Sequence, residues 1–150
     1  MSKHSLILTV DPSELPTAQQ KGERVVMGAS GRPFVHHYEK NKVAKARRAV
    51  QFAISRAIDK NYAVADKNIP ILVSVEFVYG FSAKYSKSKY GKFKTTRPDI
   101  DNLLKGFFDA CTDAGVWSDD SQVQIVKAVK RYIREGEQPH ICFEFETVEE

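Results

Sequence analysis

The sequence has no apolar run long enough to span a membrane, and its start lacks the apolar core and cleavage site of a signal peptide. It contains only two cysteines, Cys111 and Cys142, and both fall within apolar patterns. Buried, reduced thiols of this kind are typical of cytosolic proteins. The few histidines are scattered, and adjacent His36 and His37 would face opposite ways on a strand, which argues against a zinc clamp. We therefore expect a cytoplasmic protein with no membrane segment.

Internal repeats are also absent, and nothing in the composition departs from that of an ordinary globular protein. The chain has 150 residues, which suffices for one domain with a real core but is short for two. Its hydrophobic fraction of 42% and charged fraction of 28% argue against wholesale disorder. We expect a single domain over residues 1–150.

Hydrophobic periodicity predicts an α+β fold. Strands are predicted at 5–10, 24–27, 33–37, 69–79, 122–134 and 140–147, and helices at 39–60 and 102–114. The 5–10 stretch reads as a buried strand. The 69–79 stretch is apolar on one face and partly apolar on the other, as expected of a central strand. The prediction is a mixed β-sheet with two principal helices packed on it.

Two pairs of aspartates flank the second predicted helix. Residues two apart share a side only on an extended chain, so Asp99 and Asp101 can converge only if Asp99 precedes the helix. We therefore expect Asp101 at the N-cap, where a carboxylate can accept a backbone N–H. Lys105 follows one turn later on the same side. Beyond the helix, Gly115 suits the left-handed position that ends it, and Asp119 and Asp120 come next.

Close carboxylates repel and raise one another's pKa unless a cation neutralises them. Hard oxygen ligands with open positions suit Mg²⁺, with Mn²⁺ as a plausible substitute, and such an ion takes substrate phosphate oxygens as further ligands. A water activated by the metal would then attack the phosphorus of a phosphodiester. The plainer alternative is that these aspartates are capping residues and a solvated turn. The combined spacing, with Lys105 between the two pairs, favours a metal site.

The motif has three parts, namely R-x-D-x-D-N-x-x-K at 97–105, F-D-A at 108–110 and G-V-W-x-D-D-x-Q at 115–122. It resembles the signature of RusA-type Holliday junction resolvases, which are crossover junction endodeoxyribonucleases. The resemblance implies a Mg²⁺-dependent, structure-selective endonuclease that resolves four-way junctions in DNA recombination and repair, leaving 3′-hydroxyl and 5′-phosphate ends. It implies that Asp99, Asp101 and Asp120 are the metal-binding catalytic carboxylates and that Lys105 is the catalytic lysine. It also implies a homodimer, whose two-fold symmetry would present two equivalent sites to opposed strands.

The segment from residue 84 to residue 97 carries six basic residues and no acidic ones, so the rest of the chain sums to −2 against a net charge of +4. The predicted DNA-binding residues are Lys84, Lys87, Lys89, Lys92, Lys94 and Arg97, the interleaved aromatics Tyr85, Tyr90 and Phe93, and Lys130 on a later strand. Lysines would neutralise phosphates, and the aromatic rings suit stacking on unpaired bases of branched DNA. We expect a basic loop, about 80–97, that is mobile without DNA and orders on binding. A merely solvated loop is the alternative.

Three other functions fit parts of the sequence. A non-enzymatic nucleic-acid-binding protein explains the basic aromatic loop but leaves the aspartate pairs unexplained. A restriction-type nuclease would need a downstream acid-x-lysine on a strand, and no convincing one follows. A metal-dependent sugar transferase uses D-x-D as well, but no nucleotide-binding βαβ pattern accompanies it here.

Overall fold

The computed structural model describes residues 2–15, 21–39, 41–82, 84 and 87–149. Its elements, in chain order, are β1 (Lys3–Leu8), β2 (Lys21–Met27), β3 (Pro33–Glu39), α1 (Asn41–Ala57), β4 (Ile71–Tyr79), α2 (Ile100–Asp113), β5 (Val123–Tyr132) and β6 (His140–Thr147). Among the described residues, no helix is both long and apolar enough to cross a membrane.

Four strands form one mixed sheet in the order β1-β6-β4-β5. β4 pairs in parallel with β5, and β6 runs antiparallel to both β4 and β1. The strand predicted to be central, β4, therefore lies between two neighbours. Strands β2 and β3 form a separate antiparallel hairpin, as their sequence indicated. The prediction of a single-domain α+β fold with a mixed sheet and two helices is confirmed.

Helix α2 lies on the crossover between the parallel strands β4 and β5, and its apolar face covers the sheet. Phe107 is fully buried and meets Phe77 of β4 and Phe143 of β6 edge-on, with ring centroids 5.8 and 5.0 Å apart. Leu103, Ala110 and Cys111 are also fully buried. Apolar residues at this spacing form one helix face, so the polar side of α2 is left for solvent or substrate.

The end of α2 is set by a glycine. Gly115 has φ +77°, and its N–H bonds to the Thr112 carbonyl at 3.1 Å while the Val116 N–H bonds to the Cys111 carbonyl at 3.0 Å. These two bonds form a Schellman motif, which closes a helix and turns the chain sharply. The turn brings buried Val116 and Trp117 onto the core.

Helix α1 is fastened to the end of α2 by polar contacts. Arg47 Nε donates to Asp113 Oδ2 at 2.7 Å, and Gln51 Nε2 donates to the Asp113 carbonyl at 3.1 Å. On its apolar side, Val50 and Ile54 of α1 are fully buried. Both contacts position the helix that carries the aspartates.

The first strand, predicted as a buried strand at 5–10, forms at Lys3–Leu8 and is buried on one face only. Leu6 and Leu8 face the core, whereas Ile7 on the opposite face is 70% exposed. Among the described strands, β1 is an edge strand that pairs with β6 alone. Beyond it, the carboxylate of Asp11 accepts the Ser13 N–H in a turn. The first helix is also shorter than its predicted span of 39–60, because residue 39 belongs to β3 and a turn capped by Asp59 follows the helix.

Burial of the α2 face should dominate the stability of the domain. We expect Phe107→Ala to lower the free energy of unfolding by about 3–5 kcal/mol, because it removes a buried ring and leaves a cavity. Phe52→Ala is the matched control, since Phe52 is also helical but 63% exposed, and it should change stability by less than about 1 kcal/mol. Urea denaturation followed by circular dichroism measures both. Equal effects of the two substitutions would contradict this packing.

Candidate active site

Helix α2 begins two residues earlier than predicted. Asp99, not Asp101, is the N-cap: its backbone is extended at φ −67° and ψ 147°, and its carbonyl accepts the Leu103 N–H at 3.1 Å. The N-cap prediction for Asp101 is therefore wrong, since Asp101 already lies in the first helical turn. The Asp99 side chain makes no capping hydrogen bond.

Asp99 and Asp101 nevertheless line the same shallow pocket. The pocket also contains Ile100 and residues of β5 and the basic segment, namely Phe93, Lys94, Ala128, Val129 and Lys130. Both aspartates are exposed. Within the described part of the chain, neither carboxylate accepts a hydrogen bond or forms an ion pair. Two neighbouring carboxylates with all their oxygens available form a suitable start for a hard cation's ligand set.

The polar face of α2 continues from this pocket toward the second aspartate pair. Lys105 and Asp109 follow Asp101 at intervals of four residues, so they lie on one stripe about 6 Å apart along the axis. The turn Asp120–Gln122 packs against α2. Asp120 interacts electrostatically with the negative charge of Asp109 and the positive charge of Lys105. The second pair of aspartates is therefore on the same side of the molecule as the first.

The environment of Asp120 disfavours its charged form. Its pKa is raised, first by partial burial and then by its contact with Asp119 and the charge of Asp109, while Lys105 opposes the shift. Asp119 differs: the Ser121 hydroxyl donates to its Oδ2 at 2.8 Å, and this bond lowers its pKa. A nearby cation would relieve the unfavourable charge at Asp120.

Gln122 builds the turn that presents Asp120. This amide is 4% exposed, and its Nε2 donates to the Asp66 and Ile69 carbonyls at 2.9 and 3.1 Å. Its Oε1 accepts the N–H groups of Ser118 and Asp119 at 2.9 and 3.2 Å. All four hydrogen-bonding positions of the side chain are thus used. Sequence reasoning noted Gln122 in the motif without giving it this role.

Trp117 fixes the other end of the same turn. Its ring is 1% exposed and packs edge-on against Phe108 and Phe143, at 5.4 and 6.3 Å. Its Nε1 donates to the Thr112 hydroxyl at 2.8 Å, which in turn donates to the Phe108 carbonyl. Trp117 therefore anchors the second aspartate pair to the core of the sheet.

The three predicted metal ligands, Asp99, Asp101 and Asp120, do not form one cluster in the described structure. Over the residues that the structure covers, no three aspartate, glutamate, histidine or cysteine side chains are close enough to hold one ion. The pair of Asp99 and Asp101 still fits Mg²⁺, which is commonly bound by one or two carboxylates and retains waters. The assignment of Asp120 as a third ligand stays a prediction.

The basic segment runs along the outer edge of β5. Phe93 bridges to Arg131, and the N–H groups of Tyr132 and Lys94 donate to the Lys92 and Lys130 carbonyls at 2.8 and 3.0 Å. This pairing places the segment beside the carboxylate pocket. Of the predicted DNA-binding cations, four are exposed, namely Lys84, Lys87, Lys92 and Arg97.

The remaining predicted cations are engaged within the protein. Lys89 lies over the Tyr132 ring at 5.1 Å. Lys94 donates to the Arg97 carbonyl at 2.8 Å, and burial together with neighbouring Lys130 lowers its pKa. Lys130 donates to the carbonyls of Thr96 and Pro98. The sequence pattern does not indicate these roles, which follow from the pairing of β5 with β4 that sets Lys130 opposite fully buried Phe77.

The predicted stacking aromatics differ in availability. Phe93 is 74% exposed at the rim of the pocket. Tyr90 instead packs on Phe81, with ring centroids 5.0 Å apart, so part of its surface is already covered. Tyr85 lies outside the described residues. Phe93 is therefore the aromatic side chain best placed to meet a base.

Comparison with known proteins agrees with this arrangement. The family Endodeoxyribonuclease RusA matches residues 15–142. The chain belongs to this family. It is 32% identical over 116 residues to the crossover junction endodeoxyribonuclease of Lactococcus phage r1t, covering 76% of this chain and 78% of that protein. Over a shorter stretch of 40 residues it is 50% identical to the enzymes of Enterobacteria phage 82 and Escherichia coli, covering 27% of this chain and 33% of each relative.

Membership in the RusA family decides between the alternatives that the sequence left open. The family consists of endodeoxyribonucleases by its description. A binding protein without activity, a restriction-type nuclease and a sugar transferase are therefore set aside. The resemblance carried by the motif at 97–122 is confirmed.

The Gln122 amide should be essential to the turn that holds Asp120. We expect Gln122→Leu to lower the free energy of unfolding by at least about 2 kcal/mol, because buried backbone groups lose their partners. Gln124→Leu is the control, since Gln124 is exposed and its side-chain amide donates to the Ser121 carbonyl. Urea denaturation of both variants provides the comparison. A Gln122→Leu protein as stable as the Gln124→Leu protein would show that this network is unimportant.

Proposed function

We propose that the chain cuts four-way DNA junctions by metal-assisted phosphodiester hydrolysis at the pocket lined by Asp99 and Asp101. Its family makes it an endodeoxyribonuclease, and its relatives are crossover junction enzymes. The observation that carries the choice of site is that Asp99 and Asp101, which have no hydrogen-bond or ion-pair partner among the described residues, lie next to an exposed basic segment. An acidic site needs such positive surroundings to attract a polyanion.

In this proposal Asp99 and Asp101 hold Mg²⁺, for which Mn²⁺ can substitute. Asp120 would become a third ligand by moving toward this pair when the ion binds, since the three carboxylates are not close enough in the described structure to hold one ion. When bound, the ion would supply Lewis-acid stabilisation of the charge that develops on the phosphate. The chain itself would orient the substrate. Lys105 is exposed between Asp101 and Asp109, so its ammonium group can contact the scissile phosphate or help to position the attacking water.

The proposed DNA-binding surface is the basic segment of residues 84–97. Its exposed lysines would neutralise phosphates, and Phe93 would stack on a base unpaired at the branch point. We propose that this part of the chain becomes more ordered on binding DNA. Slower amide exchange across the segment in the presence of junction DNA would support this.

A homodimer is the assembly proposed for paired cuts. A two-fold axis would give two equivalent sites and so one cut in each of two opposed strands. Sedimentation of the free protein tests this state. The cytoplasm, where the chain would meet recombining DNA, is the proposed compartment.

Loss of one carboxylate should abolish cleavage without abolishing binding. We expect Asp101→Asn to reduce the rate on a synthetic four-way junction in Mg²⁺ by more than about 100-fold, because it removes a charged metal ligand. Junction binding should persist or strengthen, since one negative charge facing DNA is lost. Gel assays of nicked products and of binding give both quantities.

Asp120→Asn and Asp119→Asn form a matched pair for the second cluster. The Asp120 variant should lose activity, and the Asp119 variant should keep most of it. Wild-type activity in EDTA, or undiminished activity of Asp101→Asn, would contradict the mechanism. Metal-independent binding by the wild-type protein without any nicked product would favour a non-enzymatic role.

Stacking by Phe93 can be separated from phosphate binding by salt dependence. We expect Phe93→Ala to weaken junction binding by about 1–3 kcal/mol with no change in the slope of log K against log salt, because stacking releases no counterions. Lys92→Met should instead reduce the magnitude of that slope by about 1. Titrations at several salt concentrations measure both. A Phe93→Ala protein with wild-type affinity at all of them would rule out stacking.

A further inference from the structure

We propose that Lys130 is a positioning residue that fixes the direction of the Asp99 carboxylate, rather than a DNA phosphate contact. This inference rests on the proposed function, because it concerns the same cation site. It replaces the role in DNA binding that the sequence suggested for Lys130. Four features of the described structure support it.

The ammonium group of Lys130 is held between two backbone carbonyls of the segment that leads into α2. Lys130 Nζ donates to the carbonyl of Thr96 at 2.8 Å and to that of Pro98 at 2.7 Å. A lysine has three N–H donors. Two of them are therefore committed to the chain, and a phosphate would have to compete for them.

These bonds act directly on Asp99. The Pro98 carbonyl belongs to the peptide group that precedes Asp99, and the Asp99 carbonyl belongs to the one that follows. Lys130 holds the first, and the Leu103 N–H holds the second at 3.1 Å. With both flanking peptide planes fixed, the Cα–Cβ bond of Asp99 has one direction, and its carboxylate is kept beside Asp101.

Lys130 itself stands on a rigid base. It lies opposite Phe77 in the parallel pairing of β5 with β4, and Phe77 is fully buried. Its carbonyl accepts the Lys94 N–H at 3.0 Å. Lys130 is thus tied to the core on one side and to the basic segment on the other.

A second lysine, Lys94, holds the same segment that leads into α2. Lys94 donates to the carbonyl of Arg97 at 2.8 Å, and its side chain also contacts the Thr96 hydroxyl. Lys130 of β5 and Lys94 of the basic segment therefore bind the three successive carbonyls at 96, 97 and 98. Such outer contacts typically affect metal affinity or activity about 10–100-fold when removed.

The decisive variant is Lys130→Met, which keeps the aliphatic stem and removes the donors. We expect the affinity of the DNA-free protein for Mn²⁺ and the kcat for junction cleavage each to fall about 10–100-fold. The KM should stay unchanged, as should the salt slope of junction binding in EDTA. Exchange of the Leu103 amide in metal-free protein should accelerate, because Asp99 is no longer held.

Two lysine variants serve as controls. Lys92→Met removes an exposed cation of the basic segment and should lower the salt slope by about 1 while leaving Mn²⁺ affinity unchanged. Lys60→Met removes an exposed cation just beyond α1 and should alter none of these quantities. The same titrations and exchange measurements apply to all three proteins.

The opposite pattern would overturn the inference. If Lys130→Met keeps wild-type Mn²⁺ affinity and kcat but loses about one unit of salt slope, Lys130 is a phosphate contact. If Lys130→Met does not fold, Lys130→Gln decides, because its neutral amide is one bond shorter and cannot reproduce the charge-assisted hydrogen bonds of the ammonium group. A folded Gln variant with wild-type Mn²⁺ affinity and kcat would equally refute the role. Failure of the wild-type protein to bind Mn²⁺ or cleave junctions would instead refute the proposed function.

Discussion

Packing of α2 against the sheet is the constraint on which the rest of the site depends. Phe107 lies between Phe77 and Phe143, and this buried contact fixes which side of the helix faces away from the core. The polar stripe that starts at Asp101 follows from that orientation. Because α2 also connects the parallel strands β4 and β5, its N-terminus is held beside β5, and the carboxylates meet the basic segment there.

The charges around the pocket are arranged so that the carboxylates stay available. Lys94 and Lys130 line the same pocket as Asp99 and Asp101, yet their ammonium groups bond to backbone carbonyls. A salt bridge to either lysine would occupy carboxylate oxygens and compete with a cation. Because the two lysines bind backbone carbonyls, the carboxylate oxygens of the aspartates stay available to a cation, and the surroundings remain positively charged. The second cluster, at Asp120, experiences unfavourable burial and repulsion that a cation would reduce.

Much of the fold was predictable because its signals are local. The alternation in β4 and β6, the glycine that ends α2 and the helical spacing from Leu103 to Cys111 each report their own structure. The edge position of β1 was not predictable, since apolar residues at 5–10 look alike in a central or an edge strand. The site was predictable as a set of residues through its motif, but not as geometry. The carbonyls that Lys130 and Gln122 bind include ones more than thirty positions away in the chain, which no local pattern reports.

We propose that Asp99 and Asp101 hold the divalent ion that cleavage requires, and anomalous X-ray diffraction from crystals grown with Mn²⁺ can locate that ion. We expect a Mn²⁺ peak in the pocket between these carboxylates, at roughly 2 Å from an oxygen of each, and no such peak in crystals of Asp99→Asn. A protein that cleaves junctions with Mn²⁺ bound elsewhere, and with this pocket empty, would contradict it.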